Sequence, residues 1–315
     1  MHDLIEKHLT RVKAMKAEAT HDTHKTNLKQ FDAWVTEREY EITEMGALEL
    51  EAFFLEMNNE GYAPNTIGSR YESIRGLYNT LTEKFEIVDE HPFDDLRRRD
   101  YVKKNTRKHD ESDISYVTPE EKEALCEHTP SPPLRNELLI RMLWQTGARK
   151  SELVEVELDD INRNERSINI WSNKTKESRT VYYQPSLDVL LDQWLENGYR
   201  AAFSPAEHSS YLFVSERSEH VHVDTVNEKI VKPAAEEAGI QEVLYTDKSG
   251  SQRYRVTPHA LRHGHAVHAL KSGIDVRTVQ QHLGHADLEM TMKYLQLIDD
   301  DVKEGYREFR NSTQA

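Results

Sequence analysis

The stretch TPHALRH, residues 257–263, bears on the fold more than any other part of this chain of 315 residues. Thr257 is predicted to be the N-cap of a helix and Pro258 its first residue, because both residue types favour those positions. His259 and Arg262 are three residues apart and therefore lie on one face of that helix. Taken alone, such a pair fits an ordinary solvated surface, so its meaning depends on the blocks that accompany it.

Three further blocks carry cationic, imidazole and phenol side chains: TGARKSEL (146–153), NKTKESRTV (173–181) and LGHADLEMTMKY (283–294). Arginine binds a phosphate through two parallel hydrogen bonds and stays charged, whereas lysine has a proton to give. Tyrosine is a nucleophile once nearby positive charge helps to ionise it. The candidate site residues are Arg149, Lys174, His259, Arg262, His285 and Tyr294. This set can hold a phosphodiester, stabilise its charge in transit and attack it.

The four blocks, in their order and spacing, resemble the tyrosine recombinase (phage integrase) family. The resemblance implies that Tyr294 attacks a DNA phosphodiester and forms a 3′-phosphotyrosyl link, and that Lys174 protonates the departing 5′ oxygen. Lys176 lies two residues away and remains an alternative for that proton. Glu152 is implied to support the phosphate-binding Arg149 from behind. No cofactor and no metal are implied, and the partners are double-stranded DNA with paired half-sites and a homotetramer of the chain.

Three other interpretations stay open. A type IB topoisomerase shares this chemistry but relaxes single duplexes. A DNA-binding protein that recognises sites without cutting would need no nucleophile. The histidine-rich segment HALRHGHAVHAL (259–270) places His259 and His263 four residues apart, as in zinc-binding helices, although no neighbouring glutamate or cysteine completes a metal site.

The resemblance implies a mainly α fold with small antiparallel β hairpins, arranged as a two-domain clamp. A helical SAM-like core-binding domain is predicted at 1–103, a basic and polar linker at 104–117, and the tyrosine recombinase catalytic domain with a C-terminal tail helix at 118–315. Apolar spacings of three and four residues predict helices over 23–39, 47–59 and 65–84. The second of these stripes comprises Leu48, Leu50, Phe53, Phe54 and Met57.

Helix and hairpin signals recur along the second domain. Thr118, Pro119 and Glu121 form a helix start, and Asp275 is predicted to open a helix that ends at Gly284. Residues 167–171 and 179–183 are predicted to pair as a hairpin, and a second hairpin joins 244–245 to 254–256. In the tail, Ile298, Val302, Tyr306 and Phe309 are predicted to share one helical face, which either packs on its own domain or docks into a neighbouring subunit.

Charge is distributed unevenly along the chain. The formal net charge is −15, but residues 97–108, RRRDYVKKNTRK, carry seven basic residues and one acid. This stretch fits either a solvated linker or a segment that crosses the DNA backbone. The predicted DNA-binding residues are Arg97, Arg98, Arg99, Lys103, Lys104, Arg107 and Lys108. The acidic remainder suggests adaptation to high salt, as in a virus or plasmid of a halophilic archaeon.

Compartment signals are few. Cys126 is the single cysteine, which excludes an internal disulfide. No apolar run approaches the roughly 18 residues that span a bilayer, and the first residues lack the apolar block of a signal peptide. The chain is therefore expected to be a soluble cytoplasmic protein without a membrane partner.

Overall fold

The computed structural model of the protein describes residues 1–102, 114–172, 176–246, 248, 250–284 and 291–298. The chain divides into two compact units, Met1–Lys108 and His109–Ala315. The domain boundaries proposed from the sequence stay predictions. Residues 114–117, inside the predicted linker, pack with the second unit, since Val117 is fully buried and its amide donates to the carbonyl of Ala260 at 3.1 Å.

The described part of the first unit is helical. Its helices are α1 (Asp3–Met15), α2 (Glu18–Glu37), α3 (Ala47–Asn59), α4 (Pro64–Glu83) and α5 (Arg98–Tyr101). The apolar stripes of α2, α3 and α4 meet in one core around the fully buried Phe31, Phe54 and Tyr78. These helices match the three predicted ones closely, and α1 adds Ile5 and Leu9 to the same core.

Leu48 was wrongly placed on the buried stripe of α3, because its side chain is 76% exposed. The helix begins at Ala47, and Leu50, Phe53, Phe54 and Met57 follow at helical spacings of three and four and are buried. Leu48 is two residues before Leu50, so it lies on the far side of the helix.

The second unit combines helices with two small antiparallel sheets. Its α-helices are α6 (Pro119–Glu127), α7 (Pro133–Thr146), α8 (Lys150–Leu153), α9 (Asp188–Leu195), α10 (Val223–Thr225), α11 (Lys232–Glu237), α12 (Pro258–Lys271) and α13 (Val276–Leu283). A π-helical turn, Val226–Val231, joins α10 to α11. Residues 291–298 are also helical. The mainly α fold with small antiparallel hairpins is therefore confirmed.

The strands are β1 (Ile161–Asn162), β2 (Ser167–Ser172), β3 (Glu177–Tyr182), β4 (Val243–Thr246) and β5 (Gln252–Tyr254). The first sheet has the order β1-β2-β3, and the second sheet pairs β4 with β5. Ile168, Ile170 and Val181 are fully buried on the core face of the first sheet. Both predicted hairpins are present, and the first brings β3 against the end of α13.

Helix ends follow the predicted local chemistry. Thr118 and Glu121 form a reciprocal capping box at the start of α6. Asp275 caps α13, while Gly147 and Gly284 follow α7 and α13 with φ of 60° and 66°. This left-handed conformation favours glycine because a Cβ is strained there. None of the described helices is both long and apolar enough to cross a bilayer.

Candidate active site

The first turns of α12 carry three of the site residues. Thr257 accepts a hydrogen bond from the amide of Ala260 at 3.1 Å, as its predicted cap role requires. The helix packs on α7, where Gly264 lies directly against Trp144 and leaves no room for a Cβ. This close contact holds His259, Arg262 and His263 beside the turn that follows α7.

Arg262 is buried, with 1% of its surface exposed. Its Nη1 donates to the carbonyl of Gly147 at 2.6 Å, and its Nη2 donates to the carbonyl of Leu283 at 2.8 Å. The guanidinium therefore ties together the C-terminal turns of α7 and α13. Burial and the charge of Arg149 lower the pKa of Arg262, while the carbonyl dipoles satisfy part of its five-donor capacity.

Glu152 lies at the centre of an arginine cluster, which we define as Arg149, Glu152, Arg179 and Arg262. One carboxylate oxygen accepts from Arg149 Nη1 at 2.7 Å and Arg179 Nη1 at 3.1 Å. The other accepts from the amide of Arg149 and from Arg179 Nη2, each at 2.8 Å. Burial raises the pKa of Glu152, but these donors outweigh it and lower the pKa to about 2.

Arg149 is the most accessible guanidinium of the cluster, with 25% of its side chain exposed. It follows Gly147 at the end of α7, and its Nη2 approaches the carbonyl of Gly284 at 3.5 Å. Three guanidiniums face one carboxylate, so the cluster carries excess positive charge even though the chain as a whole is acidic. Such a site favours an anionic ligand.

A second group, the tyrosine cluster, consists of His259, His263 and Tyr294. The hydroxyl of Tyr294 and Nδ1 of His263 are 2.7 Å apart and share a hydrogen bond. The rings of His259 and His263 meet edge to face with centroids 4.5 Å apart. Tyr294 is 1% exposed and packs with Ala266, Val267 and Leu283.

Burial disfavours the charged forms of two members of the tyrosine cluster, Tyr294 and His259. Burial raises the pKa of the Tyr294 hydroxyl, and the charge of Arg262 acts in the opposite direction without reversing the shift. Burial, with the charges of Arg262 and Arg149, lowers the pKa of His259. The sequence-based expectation that neighbouring cations would promote ionisation of Tyr294 therefore does not describe this state, because desolvation is the larger effect.

Several predicted residues lie outside the described ranges: Lys174, His285, Lys103, Lys104, Arg107, Lys108, Val302, Tyr306 and Phe309. Lys176 is described and closes the turn between β2 and β3, where its amide donates to the carbonyl of Ser172 at 2.8 Å. Arg97, Arg98 and Arg99 are exposed at the start of α5. Arg98 contacts Glu72 at 3.5 Å, and Arg99 contacts Asp100 at 3.9 Å.

Sequence reasoning missed two residues that the structure brings into the site. Arg179 was treated only as part of a strand, and His263 only as part of a possible zinc pair. The alternation of β3 marks Arg179 as pointing to the same face as the buried Val181, which is an unusual position for an unpaired cation. His263 follows Arg262 directly, and no local signal links it to a residue 31 positions later.

The imidazoles of α12 are engaged in different contacts. His263 is bonded to Tyr294, and Nδ1 of His265 is 2.7 Å from the carbonyl of Trp144. Within the described part of the chain, no group of three or more His, Cys, Asp or Glu residues is arranged to hold a metal ion. The arrangement is suited to binding an anion beside a buried hydroxyl.

Residues 115–300 match the phage integrase family. The chain is 30% identical to tyrosine recombinase XerA of Pyrococcus furiosus over 256 residues, which cover 80% of this chain and 77% of that protein. It is 26% identical to a tyrosine recombinase of Pseudothermotoga lettingae over 277 residues, covering 87% and 86% of the two chains.

The structure is also similar to that of the XerH site-specific recombinase bound to palindromic difH substrate in a post-cleavage complex. The TM-score is 0.72 at 17% identity, and the match covers 97% of this chain and 84% of that one. At this identity the likeness concerns the fold alone. The family match and the sequence relatives establish that the chain belongs to the phage integrase family and is a tyrosine-type site-specific DNA recombinase.

Proposed function

We propose that the chain cuts and rejoins double-stranded DNA at paired half-sites through a covalent link between Tyr294 and a 3′ phosphate. The observation that carries this proposal is the hydrogen bond of 2.7 Å between the Tyr294 hydroxyl and His263, beside the arginine cluster. A nucleophile in contact with a proton acceptor and close to surplus positive charge is the arrangement that attack on a phosphodiester needs.

The proposed chemistry balances as follows. Tyr294 Oη bonds to phosphorus, the bond between phosphorus and the 5′ oxygen breaks, and the DNA keeps its 3′ oxygen on the phosphorus. With Nδ1 unprotonated, His263 accepts the proton of the Tyr294 hydroxyl. Lys174 supplies the proton that the departing 5′ oxygen takes up. The released 5′ hydroxyl of another strand then attacks the phosphotyrosine and reverses these steps, so the bond energy is retained without ATP.

The remaining site residues stabilise the charge that develops on the phosphoryl oxygens. Arg149 is exposed enough to contact them directly, while Arg262 contributes its charge from a buried position and through the Gly147 and Leu283 turns. His259 and His285 complete the proposed set. The proposed working unit is a homotetramer on two paired sites, acting in the cytoplasm.

The test is incubation with a nicked half-site suicide DNA taken from the attachment region of the chain's own genetic element, without ATP and with EDTA. Wild type is expected to form a denaturation-resistant protein–DNA adduct, and Tyr294→Phe is expected to bind equally and form none. Equal binding without an adduct in either protein, across several sites and salt levels, would favour a non-cleaving DNA-binding protein. Adduct formation that leads to relaxation of supercoiled DNA but never to strand exchange would favour topoisomerase activity.

A further inference from the structure

Arg179 uses all three of its nitrogens within the protein. Nη1 and Nη2 donate to the two carboxylate oxygens of Glu152 at 3.1 and 2.8 Å, and Nε donates to the carbonyl of His282 at 2.9 Å. Its side chain is 14% exposed, compared with 25% for Arg149. Bidentate pairing of this kind has defined geometry as well as strength, and lysine cannot reproduce it.

These contacts join three elements that are distant in the sequence. Arg179 lies on β3, Glu152 on α8 and His282 in the last turn of α13. The chain next turns at Gly284, where an added Cβ would lie 3.1–3.3 Å from Cδ, Nε and Cζ of Arg179. The glycine therefore allows the guanidinium to lie flat against the turn that leads to residues 285–294.

The same arrangement argues against Arg179 as a phosphate ligand. Redirecting its guanidinium to DNA would break the bidentate pair and leave the carboxylate of Glu152, which is 3% exposed, with fewer donors. Arg149 is better placed to contact a phosphate, because its guanidinium is held less tightly. One of its side-chain bonds is to Glu152, and the other is a long contact of 3.5 Å to the carbonyl of Gly284.

We propose that Arg179 is a positioning residue for DNA cleavage: it fixes the carboxylate that orients Arg149, and it anchors β3 against the end of α13. Because β3 begins three residues after Lys174 in the sequence, the same anchor fixes the strand that follows the proposed general acid. This inference rests on the proposed function and assigns a role to a residue that the family comparison does not identify.

If Arg179 positions other residues, its substitution should lower the rate of DNA cleavage without weakening half-site binding. Arg179 does not contact DNA, so its loss leaves half-site affinity within about twofold of wild type. In the proposed function, cleavage depends on the orientation of Arg149 and on the anchoring of β3. Arg179→Met therefore lowers the single-turnover rate roughly 10- to 100-fold, the range seen when the partner of a metal ligand is removed. Arg179→Lys keeps the positive charge but cannot form the bidentate pair, so its cleavage rate falls between those of wild type and Arg179→Met.

The experiment measures adduct formation on the suicide half-site at saturating protein for wild type, Arg179→Met and Arg179→Lys. Arg163→Met is the matched control, because Arg163 also pairs with a carboxylate, that of Asp192 at 2.6 Å, and also contacts a carbonyl, that of Asp188. Half-site binding and urea unfolding are recorded for every variant, so that loss of folded protein is distinguished from loss of rate.

Two readouts separate positioning from simple support of the fold. Removing Arg179 raises the pKa of Glu152, since Arg179 is the main group that counters the effect of burial there. As the pH is lowered, the cleavage rate of Arg179→Met therefore falls more steeply than that of wild type, because protonation of Glu152 weakens its hold on Arg149, while the rate of Arg163→Met follows wild type. The double variant Glu152→Gln with Arg179→Met is slowed by less than the product of the two single effects, because part of each effect acts through their shared pair.

Cleavage by Arg179→Met within twofold of Arg163→Met at every pH would overturn the inference. So would half-site affinity that falls in parallel with the rate, because Arg179 would then be a DNA contact. Absence of an adduct from the wild-type protein would overturn the proposed function itself and this inference with it.

Discussion

The arginine cluster and the tyrosine cluster meet at the first turns of α12, which carry Arg262 of the one and His259 and His263 of the other, yet burial acts on them differently. The carboxylate of Glu152 is kept ionised by four hydrogen bonds from Arg149 and Arg179, with its pKa lowered to about 2. The hydroxyl of Tyr294 is kept protonated by burial, and its pKa is raised. The cluster to which the proposed function assigns phosphate binding is thus charged before DNA binds, whereas the proposed nucleophile is not.

This difference follows from the hydrogen-bond and charge partners that surround each cluster. Buried charges are tolerated when partners surround them, as Glu152 and Arg262 are surrounded by guanidinium donors and carbonyl acceptors. Tyr294 packs among apolar neighbours, so burial raises the pKa of its hydroxyl by more than the charge of Arg262 lowers it. In the proposed reaction, a rearrangement that exposes Tyr294 would therefore favour its ionisation.

Among the substitutions in the two clusters, Arg262→Met is expected to have the largest effect on stability and on cleavage. Arg262→Met leaves the buried carbonyls of Gly147 and Leu283 without their donor, which should cost about 3 kcal/mol of unfolding free energy. Cleavage of the suicide half-site should fall about 1,000-fold, because a charge that stabilises the transition state is lost. Urea unfolding and single-turnover cleavage measure the two effects.

Arg141→Met is the control for that comparison. Arg141 lies on α7, pairs with Glu123 and Glu137, and is more exposed than Arg262. It should change the unfolding free energy by no more than about 1 kcal/mol and leave cleavage unchanged. Cleavage by Arg262→Met within tenfold of this control would show that the buried guanidinium does not serve the reaction.

The ionisation of Glu152 in the arginine cluster can be tested by measuring stability as a function of pH. The folded pKa of Glu152, about 2, lies below the value of about 4.3 for an unfolded glutamate. The unfolded chain therefore binds more protons between these values, so the pairing stabilises the fold above that window and is lost as the pH falls through it. Its full contribution is about 3 kcal/mol, of which about 2 kcal/mol is lost between pH 6 and pH 3.

Glu152→Gln should accordingly be less stable than wild type by about 3 kcal/mol at pH 6, and the gap should narrow towards pH 3 in urea titrations. Glu121→Gln removes a less buried carboxylate, which accepts from Arg255 and from the amide of Thr118, and should show a smaller gap. A Glu152→Gln deficit that stays constant with pH would mean that the carboxylate is not held ionised by its neighbours.

The smallest effect on the cleavage rate is expected in the tyrosine cluster, from loss of the hydrogen bond between His263 and Tyr294. His263→Phe keeps an aromatic ring between His259 and Tyr294 but removes the acceptor, and should slow cleavage about tenfold or more. His263→Asn returns an acceptor oxygen near the position of Nδ1 and should restore part of the rate. Equal rates for wild type and His263→Phe would show that another group receives the proton of Tyr294.

The sequence predicted local structure correctly where the residues that determine it all lie within one short segment. The caps at Thr118, Thr257 and Asp275 and the helical spacing in α2 and α4 need only neighbours a few residues away, and the structure contains them as predicted. The same holds for the β2–β3 hairpin. Leu48 shows the limit, because burial depends on which face of a helix meets the core, and a single apolar residue does not decide that.

The blocks TGARKSEL, TPHALRH and LGHADLEMTMKY, by their residue types, order and spacing, determined the family and the candidate residues without any coordinates. Only the tertiary structure decided which of them touch. The pair of Arg179 with Glu152 spans 27 positions, that of His263 with Tyr294 spans 31, and that of Arg262 with Gly147 spans 115. Such contacts arise from the packing of α7, α12, α13 and β3 around shared buried charges, and no local pattern encodes that packing.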